Sequence, residues 1–177
     1  AEVPFLRPKN LAKDDTTTEE TLKHALLKYE EMSGIKFDIC VFLTCTDIFR
    51  KTQWITKTIN TLVKKDEIES CFVTSKTHKN YWYYNKHKKL KRILPTMKMY
   101  SSRQKKEPIF REDTGLASAS RASLWRKGKR IGNNVEIIEC DNFETSIDIH
   151  SKFDLYLAEK TIEYFKRFNP ARMPNTK

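Results

Sequence analysis

The spacing of apolar residues predicts helices and strands that alternate along the chain. Thr17 and Glu20 can form a capping box, and apolar residues then recur at helical spacing as far as Gly34, so a first helix is expected here. Residues 37–44 are almost wholly apolar and rich in β-forming residues, which is typical of a strand buried on both faces of a parallel sheet. A polar turn follows that strand.

The middle of the chain continues the alternation. A second amphipathic helix is predicted over residues 52–65, and a second strand over residues 69–75. A strand, a helix and a strand of these lengths form a βαβ unit, whose crossover should be right-handed. Residues 115–124 predict a strand that enters a short helix, and residues 135–139 predict a further strand.

The last predicted helix begins directly after residues 146–150. Ser151 is a good N-cap, and Asp154 is placed to close a capping box with it. We expect a single domain over residues 1–168 that ends with this helix. Residues 169–177 are predicted to form a disordered tail.

Composition narrows the class of protein. The chain has 177 residues, of which 38% are hydrophobic, enough for the core of one domain. No apolar run approaches the length of a membrane span, and the first residues lack the pattern of a signal peptide, so we expect a cytoplasmic protein with no membrane partner. The four cysteines are scattered, with no C-x-x-C spacing, and we expect reduced thiols.

The chain is strongly basic, with a net charge of +11 from 34 basic and 23 acidic residues. The excess is densest in residues 76–92, which hold seven Lys or Arg and no acidic residue. Binding of nucleic acid and binding of a small polyanion both explain this cluster, and so does a solvated loop or a hairpin at a dimer edge. Only four glycines occur, and their spacing builds no Gly-rich phosphate loop, so a nucleoside triphosphate would need a loop outside this chain.

Asp148 and His150 are the most informative candidates for chemistry. They lie two residues apart in an apolar segment, and residues i and i+2 of a strand share a face, so both could bind one cation. A carboxylate at a strand end beside a helix N-terminus is also where α/β enzymes hold a metal-bound nucleotide. Taken alone, the pair is better explained by an ordinary polar strand end.

Four separated motifs have an order and spacing that are more specific than any one of them. They are Arg7-Pro8-x-x-Leu11-Ala12-x-Asp14 with Thr18 after it, Thr46-Asp47-Ile48-Phe49-Arg50, Ser102-Arg103-Gln104 followed by Phe110-Arg111 and Thr114-Gly115, and Ser146-Ile147-Asp148-Ile149-His150 followed by Phe153-Asp154-Leu155 and Ala158-Glu159. Together they resemble the acylneuraminate cytidylyltransferases, the CMP-sialic-acid synthetase family, over residues 5–165.

The resemblance implies a Rossmann-like α/β nucleotide-sugar transferase fold with a mostly parallel sheet. It also implies a homodimer whose dimerisation and sugar-site arm lies within residues 81–134. Such enzymes use Mg²⁺ to transfer CMP from CTP to a nine-carbon α-keto acid sugar, sialic acid or a relative, with release of pyrophosphate. Because the family's phosphate loop precedes the motif of Arg7, we expect the N-terminal part of the fold to be missing, and this chain alone to bind CTP weakly and turn over little.

The resemblance also assigns roles to individual residues. Asp148 and Arg103 are expected to be catalytic, and Asp148 and His150 to bind the metal. His150 stands where the family usually has a second carboxylate, so it would bind directly, through water or by orienting Asp148, and direct binding would favour Mn²⁺ over Mg²⁺. Thr44 replaces a Gln that contacts the sugar, which favours a relative of sialic acid. The expected substrate-binding residues are Arg7, Thr18, Thr44, Thr46, Arg50, Lys79 and Gln104.

Simpler interpretations stay open for several of these residues and for the function. Arg50 would cap nearby carbonyls or pair with Asp47, and Arg7 would pair with Asp14. Two other function classes are a basic nucleic-acid-binding module and a non-catalytic remnant of the family that only dimerises. We predict no nucleic-acid partner, because that function leaves the buried strand, the βαβ unit and the Asp148 motif without a role. Ordinary solvated residues are the simpler interpretation of Lys79, Arg103 and Gln104.

Overall fold

A five-stranded sheet and a separate two-stranded hairpin organise this mixed α/β protein. The computed structural model describes residues 2–98, 100 and 102–174. In chain order the strands are β1 (Ile39–Phe42), β2 (Ser70–Thr77), β3 (Trp82–Tyr84), β4 (Leu90–Arg92), β5 (Ile109–Glu112), β6 (Ser118–Arg121) and β7 (Val135–Cys140). The helices are α1 (Thr18–Ser33), α2 (Thr52–Lys64), α3 (Ala122–Arg126) and α4 (Lys152–Phe168).

The ends of the two longest helices form as their sequences predict. At the start of α1, the Thr17 side chain accepts from the Glu20 backbone while the Glu20 side chain accepts from the Thr17 backbone, which completes a capping box. Gly34 ends this helix in the left-handed region, with φ of 70°. Ser151 and Asp154 form the same reciprocal box at the start of α4. Local sequence signals therefore fix both helices.

The sheet differs from the predicted mostly parallel arrangement, and that prediction is wrong for most strand pairs. Only β2 and β7 pair in parallel within the described residues, whereas β1–β6, β2–β6 and β2–β5 are antiparallel. Two of the antiparallel pairs involve β6, which lies between β1 and β2 and runs against both, and the third joins β5 to β2. β1 and β2 therefore run in the same direction across β6 and are joined through α2, so the predicted strand–helix–strand order is present with a strand inserted.

β1 is also shorter and less buried than the sequence suggests. The predicted strand over residues 37–44 is reduced to Ile39–Phe42, in which only Cys40 is buried. The reason is that β1 forms an edge of the sheet in the described part of the chain, so one side of the strand has no strand neighbour there.

β5 and β6 occupy successive parts of one edge of β2. Thr74 of β2 pairs with both β5 and β7, and Ser70 pairs with both β6 and β7, so β5 and β6 lie on the side opposite β7. Between them the chain bends over residues 113–117. The Thr44 amide donates to the Gly115 carbonyl (3.1 Å), which joins this bend to the segment after β1.

Helices cover the sheet and hold the loops at its edge. α2 packs across β1, β6, β2 and β7, and its Trp54 and Leu62 are buried against the strands. α4 packs against the segment that follows β1, where Phe49 and Phe165 meet edge to face with ring centroids 6.2 Å apart. No helix in the described ranges combines the length and apolarity needed to cross a bilayer.

Three other segments refine the sequence predictions. Residues 147–150 have no strand structure, so the expected strand around Asp148 is wrong. In the predicted tail, residues 170–172 form a 3-10 turn, and residues 175–177 lie outside the described residues. Of the predicted arm over residues 81–134, only β3 and β4 form a separate sheet, because β5, β6 and α3 belong to the main body. All four cysteines are free, as expected.

Candidate active site

Three chain segments enclose a cleft at the end of the main sheet where β1, β2 and β7 finish. β1, β2 and β7 run in the same direction, so the segments that follow β1 and β7 emerge at the same edge, beside the bend over residues 113–117. The cleft has a volume of about 440 Å³ and is lined by three aspartates, so we name it the aspartate cleft. These aspartates are Asp47, Asp113 and Asp148.

The aspartate cleft brings together residues that the sequence predicted separately. Asp148 and His150 come from the segment before α4. Thr18 comes from the first turn of α1, and Thr44 and Thr46 come from the loop after β1. The Ile149 amide donates to the Thr46 carbonyl (3.3 Å), which ties the two loops together. The predicted residues that line this cleft are Thr18, Thr44, Thr46, Asp148 and His150.

Asp148 and His150 contact each other directly. Nε2 of His150 lies 2.7 Å from Oδ2 of Asp148. Oδ1 of Asp148 is inaccessible to solvent and has no hydrogen-bond partner among the described residues. Since the imidazole engages one carboxylate oxygen and leaves the other, this geometry favours an orienting role for His150 over that of an independent second ligand.

Asp47 is packed into the wall of the cleft. The Thr44 hydroxyl donates to Oδ2 of Asp47, and a Cβ added at Gly115 would overlap both the carboxylate and this hydroxyl. Burial raises the pKa of Asp47, and the negative charges of Asp148 and Asp113 raise it further, against the lowering effects of the Thr44 hydrogen bond and of Arg50. The sequence placed Asp47 in a motif and as a possible partner of Arg50 but gave it no role in a site, because several of its neighbours in the cleft come from distant parts of the chain.

Arg50 supports the cleft from behind. Its Nε donates to the Leu116 carbonyl (2.7 Å), and one terminal nitrogen donates to the carbonyls of Gly115 (2.8 Å) and Thr44. The side chain lines neither this cleft nor the adjoining one. Its position agrees with the simpler interpretation, in which Arg50 caps carbonyls and holds the bend against the end of β1.

Asp113 is already occupied by protein groups. Its Oδ1 accepts from Nε of Arg111 (2.7 Å), and its Oδ2 accepts from the Ser75 hydroxyl (2.5 Å). Arg111 is thereby held at the border of the aspartate cleft. The sequence pointed to Arg111 only as part of a motif. It gave no signal for Asp113, whose Ser75 partner is brought to it by the pairing of β2 with β5.

A second cleft, of about 550 Å³, adjoins the first and shares Arg111, Thr145 and Ser146 with it. Basic side chains dominate its lining, so we name it the basic cleft. Lys76 there is bound to Glu139, with Nζ 2.8 Å from the carboxylate. The other basic side chains of the lining are His78, Lys79, Arg103 and Arg111.

The predicted substrate-binding residues therefore separate into groups. Lys79 and Arg103 lie in the basic cleft, beside the aspartate cleft. Arg7 is exposed on the segment before α1, and Gln104 is exposed in the 3-10 turn over residues 103–105. Neither of these two side chains lines the aspartate cleft or the basic cleft.

The donor set of the aspartate cleft suits a hard divalent cation. Proteins commonly bind Mg²⁺ through one or two carboxylates, and substrate phosphates and water complete the coordination. The unpartnered Oδ1 of Asp148 provides such a carboxylate oxygen. No group of three or more His, Cys, Asp or Glu side chains in the described part of the chain is arranged to hold a metal ion. The residues present thus fit Mg²⁺ only if ligands from outside the chain complete its coordination.

Comparison with known proteins places the chain in no family. No family model matches it, and a search of curated protein sequences found no match either. The residues and geometry of the two adjoining clefts are therefore the basis for inferring a function.

Proposed function

We propose that the chain carries the active site of a cytidylyltransferase. It transfers CMP from CTP to the anomeric hydroxyl of a nine-carbon α-keto acid sugar, sialic acid or a relative, and releases pyrophosphate. The observation that carries this proposal is the junction of the aspartate cleft with the basic cleft, where Asp148 has a free, solvent-inaccessible oxygen. An acidic cleft suits the metal, and a basic cleft suits the anionic groups of the substrates.

In this proposal Asp148 would hold the metal, and His150 would orient its carboxylate through the contact with Oδ2. When bound, Mg²⁺, or Mn²⁺ as the alternative, would neutralise the charge that develops on the α-phosphate and on the departing pyrophosphate. The fixed orientation of Asp148 matters because misplacing a metal ligand lowers both affinity and rate.

The basic cleft provides the cations for substrate anions. Arg103 and Lys79 would pair with the sugar carboxylate or with phosphate, and an Arg fork binds such groups through two parallel hydrogen bonds. Arg111 lies at the border of the two clefts and is held by Asp113 (2.7 Å). Preorganised donors of this kind stabilise transition-state charge without rearrangement.

Several finer features belong to the same proposal. The β1–α2–β2 crossover supports a fold of the nucleotide-sugar transferase type, although β6 separates the two strands. We also infer a homodimer in the cytoplasm, with Thr18, Thr44 and Thr46 as neutral contacts in the aspartate cleft.

A pyrophosphate-release assay tests the proposal on the natural protein that contains residues 1–177. With Mg²⁺ and CTP, we expect release that requires a nine-carbon α-keto acid from a panel of such sugars. Asp148→Asn should lower the rate strongly, because losing a metal contact to the transition state costs several kcal/mol. Asp66→Asn, which removes a fully exposed carboxylate, is the matched control. Folded protein that releases no pyrophosphate with any acid of the panel would overturn the proposal.

A second candidate function is favoured by the distribution of charge. Residues 76–106 contain eleven Lys or Arg and no Asp or Glu, so the rest of the chain balances 23 basic residues against 23 acidic ones. Within this segment β3 exposes Trp82, Tyr83 and Tyr84. Aromatic rings beside cations bind single-stranded nucleic acid by stacking, and such binding weakens steeply with salt.

A titration with fluorescent single-stranded DNA and RNA separates the two candidates. A nucleic-acid module should bind with submicromolar affinity at low salt and lose affinity on Tyr84→Ala. The cytidylyltransferase should show sugar-dependent pyrophosphate release that Tyr84→Ala leaves unchanged, since Tyr84 lines neither cleft.

A further inference from the structure

One side of α4 presents a line of large apolar side chains to solvent. These residues, with the exposed fraction of each, are Phe153 (65%), Leu157 (37%), Tyr164 (54%) and Phe168 (61%). In a helix with 3.6 residues per turn, their positions lie within about 60° of one another and extend for about 22 Å, so they form one stripe. We name it the α4 stripe. The buried face of the helix is a separate one, on which Ala158 and Phe165 pack with Phe49.

The α4 stripe is large enough to be an interaction surface. Large apolar side chains bury about 150–250 Å² each, so the exposed fractions of the stripe amount to about 400 Å². Tyr156 lies on the flank of the stripe and is 53% exposed, which enlarges the patch. Patches of this size on soluble proteins are often functional. Two such surfaces together bury about 1,000 Å², the smallest area expected of a specific interface.

The spacing of the stripe is the same in both directions along the helix. Phe153 and Leu157 are four positions apart, as are Tyr164 and Phe168, and seven positions separate Leu157 from Tyr164. When a second α4 is laid antiparallel on the first, Phe153 therefore faces Phe168 of the second copy, and Leu157 faces its Tyr164. Each contact then occurs twice across a two-fold axis, which is the geometry of an isologous dimer. The stripe is thus complementary to itself.

The charges of α4 permit two copies to meet there. The helix holds four basic and three acidic residues, and Lys160 near its middle is bound to Glu163 (2.7 Å). The hairpin of β3 and β4 also exposes aromatic rings, but it lies within residues 76–106, which contain eleven Lys or Arg and no Asp or Glu. Two copies that met at the hairpin would bring like charges together, which opposes association. Charge therefore favours α4 over the hairpin as a surface for self-association.

We propose that the α4 stripe is the interface of a homodimer in which the α4 helices of two copies lie antiparallel across a two-fold axis. This surface is outside the arm over residues 81–134 that the resemblance implied, and no residue of the stripe lines the aspartate cleft or the basic cleft. Dimerisation through α4 therefore goes beyond the proposed function and does not depend on it. Because the buried area is small, the dimer is weak and dissociates in the micromolar range.

Sedimentation velocity of the natural protein that contains residues 1–177 measures this equilibrium. Between about 1 and about 100 μM, we expect the protein to shift from monomer to dimer. Leu157→Glu and Tyr164→Lys each place an unpaired charge against an apolar side chain of the second copy, so each should weaken association by about tenfold or more. Leu155→Glu is the matched control, because Leu155 is 48% exposed on the same helix but lies outside the stripe. It should change the association constant by less than about threefold, as surface substitutions usually do.

A mixture of the two charged variants tests the antiparallel register. In a heterodimer, the new carboxylate of Leu157→Glu faces the new ammonium of Tyr164→Lys, and the other contact between Leu157 and Tyr164 is kept. An equimolar mixture should therefore dimerise more strongly than either variant alone. Loss of stability cannot produce this result, and circular dichroism confirms that each variant is folded.

Three results would overturn the proposal, and each leaves the proposed reaction in place. Natural protein that stays monomeric at about 100 μM has no such interface. If Leu157→Glu then lowers stability more than Leu155→Glu does, another segment of the same polypeptide covers the stripe. A dimer that Leu157→Glu and Tyr164→Lys both leave intact has its interface elsewhere. A mixture that associates no better than the single variants excludes the antiparallel pairing.

Discussion

Arg172 and Glu144 join the C-terminal turn of the chain to the segment that leads into the aspartate cleft. Nε of Arg172 lies 3.4 Å from Oε1 of Glu144, whose side chain is only 1% exposed. The Arg172 guanidinium also lies over the ring of Phe143, 4.8 Å from its centroid. Glu144 is followed by Thr145 and Ser146, which line both clefts, so the turn after α4 holds part of the site in place.

Replacing Arg172 should therefore destabilise the protein. Arg172→Met keeps much of the apolar contact but leaves Glu144 as a buried carboxylate without its cation, so we expect the free energy of unfolding to fall by about 2–4 kcal/mol. Urea unfolding followed by circular dichroism measures this change. The double variant Arg172→Met/Glu144→Gln should recover most of the loss, because it removes the unpaired charge. A single-variant loss below about 0.5 kcal/mol would mean that the pair behaves as an exposed one.

Local signals explain which parts of the fold the sequence predicted. The capping boxes of α1 and α4 each involve two residues three positions apart, so they can be read without tertiary information. β6 (Ser118–Arg121) consists of small and polar residues, which do not indicate a central strand. Its burial depends on distant pairing, such as that of Ser120 with Ser70, whose hydroxyls lie 2.9 Å apart. A strand was predicted over residues 115–124, but its insertion between β1 and β2 and the resulting antiparallel pairs were not predictable from periodicity.

The candidate site also contains residues that the sequence predicted and residues that it did not. Asp148 and His150 were evident because they lie two residues apart, and the structure places them in contact. The neighbours of Asp47, namely Gly115 and Asp148, come from segments far away along the chain. The position of Asp47 in the aspartate cleft could not be predicted, because a polar residue after a strand is common in turns and the opposite loop is not evident from the sequence.

Acid should weaken the contact between Glu30 and Arg126. The hydrogen bonds from Arg126 lower the pKa of Glu30 from 4.5 to about 2, against the raising effect of burial. A carboxylate with a lowered pKa stabilises the folded state fully above its ordinary pKa and loses that effect as pH falls toward the folded value. Stability against urea should therefore decline between about pH 4.5 and about pH 2.

Glu30→Gln provides the comparison for this pH dependence. The variant removes the titrating group, so the wild-type decline should be shallower in Glu30→Gln over the same pH range. Glu31→Gln is the matched control, because Glu31 is exposed on the same helix and pairs only with Lys28 (2.9 Å). Equal slopes for wild type and Glu30→Gln would contradict the assignment.

Gly115 should be required for the shape of the aspartate cleft. A Cβ there would overlap the Asp47 carboxylate and the Thr44 hydroxyl, so Gly115→Ala must displace Asp47 or the bend. We expect a loss of about 1–3 kcal/mol in the free energy of unfolding, measured by urea unfolding. Gly34→Ala is the control, since Gly34 has φ of 70° with open space around its Cα. It should lower stability through backbone strain without a steric overlap, whereas an unchanged free energy of unfolding in Gly115→Ala would argue against the close packing at Asp47.

His150 should act by orienting Asp148, and two substitutions separate this role from direct binding of the metal. His150→Ala removes the group that lies 2.7 Å from Oδ2 of Asp148, so we expect Mn²⁺ binding to weaken by about tenfold. His150→Gln keeps an N–H donor of similar reach and should retain most of the affinity. A direct imidazole ligand predicts a different result, because a Gln amide is a poor replacement for imidazole and both variants would then bind equally weakly. His87→Ala, on the exposed turn between β3 and β4, controls for loss of a histidine at the surface. Equal affinities for His150→Gln and His150→Ala would assign the ring to the metal itself.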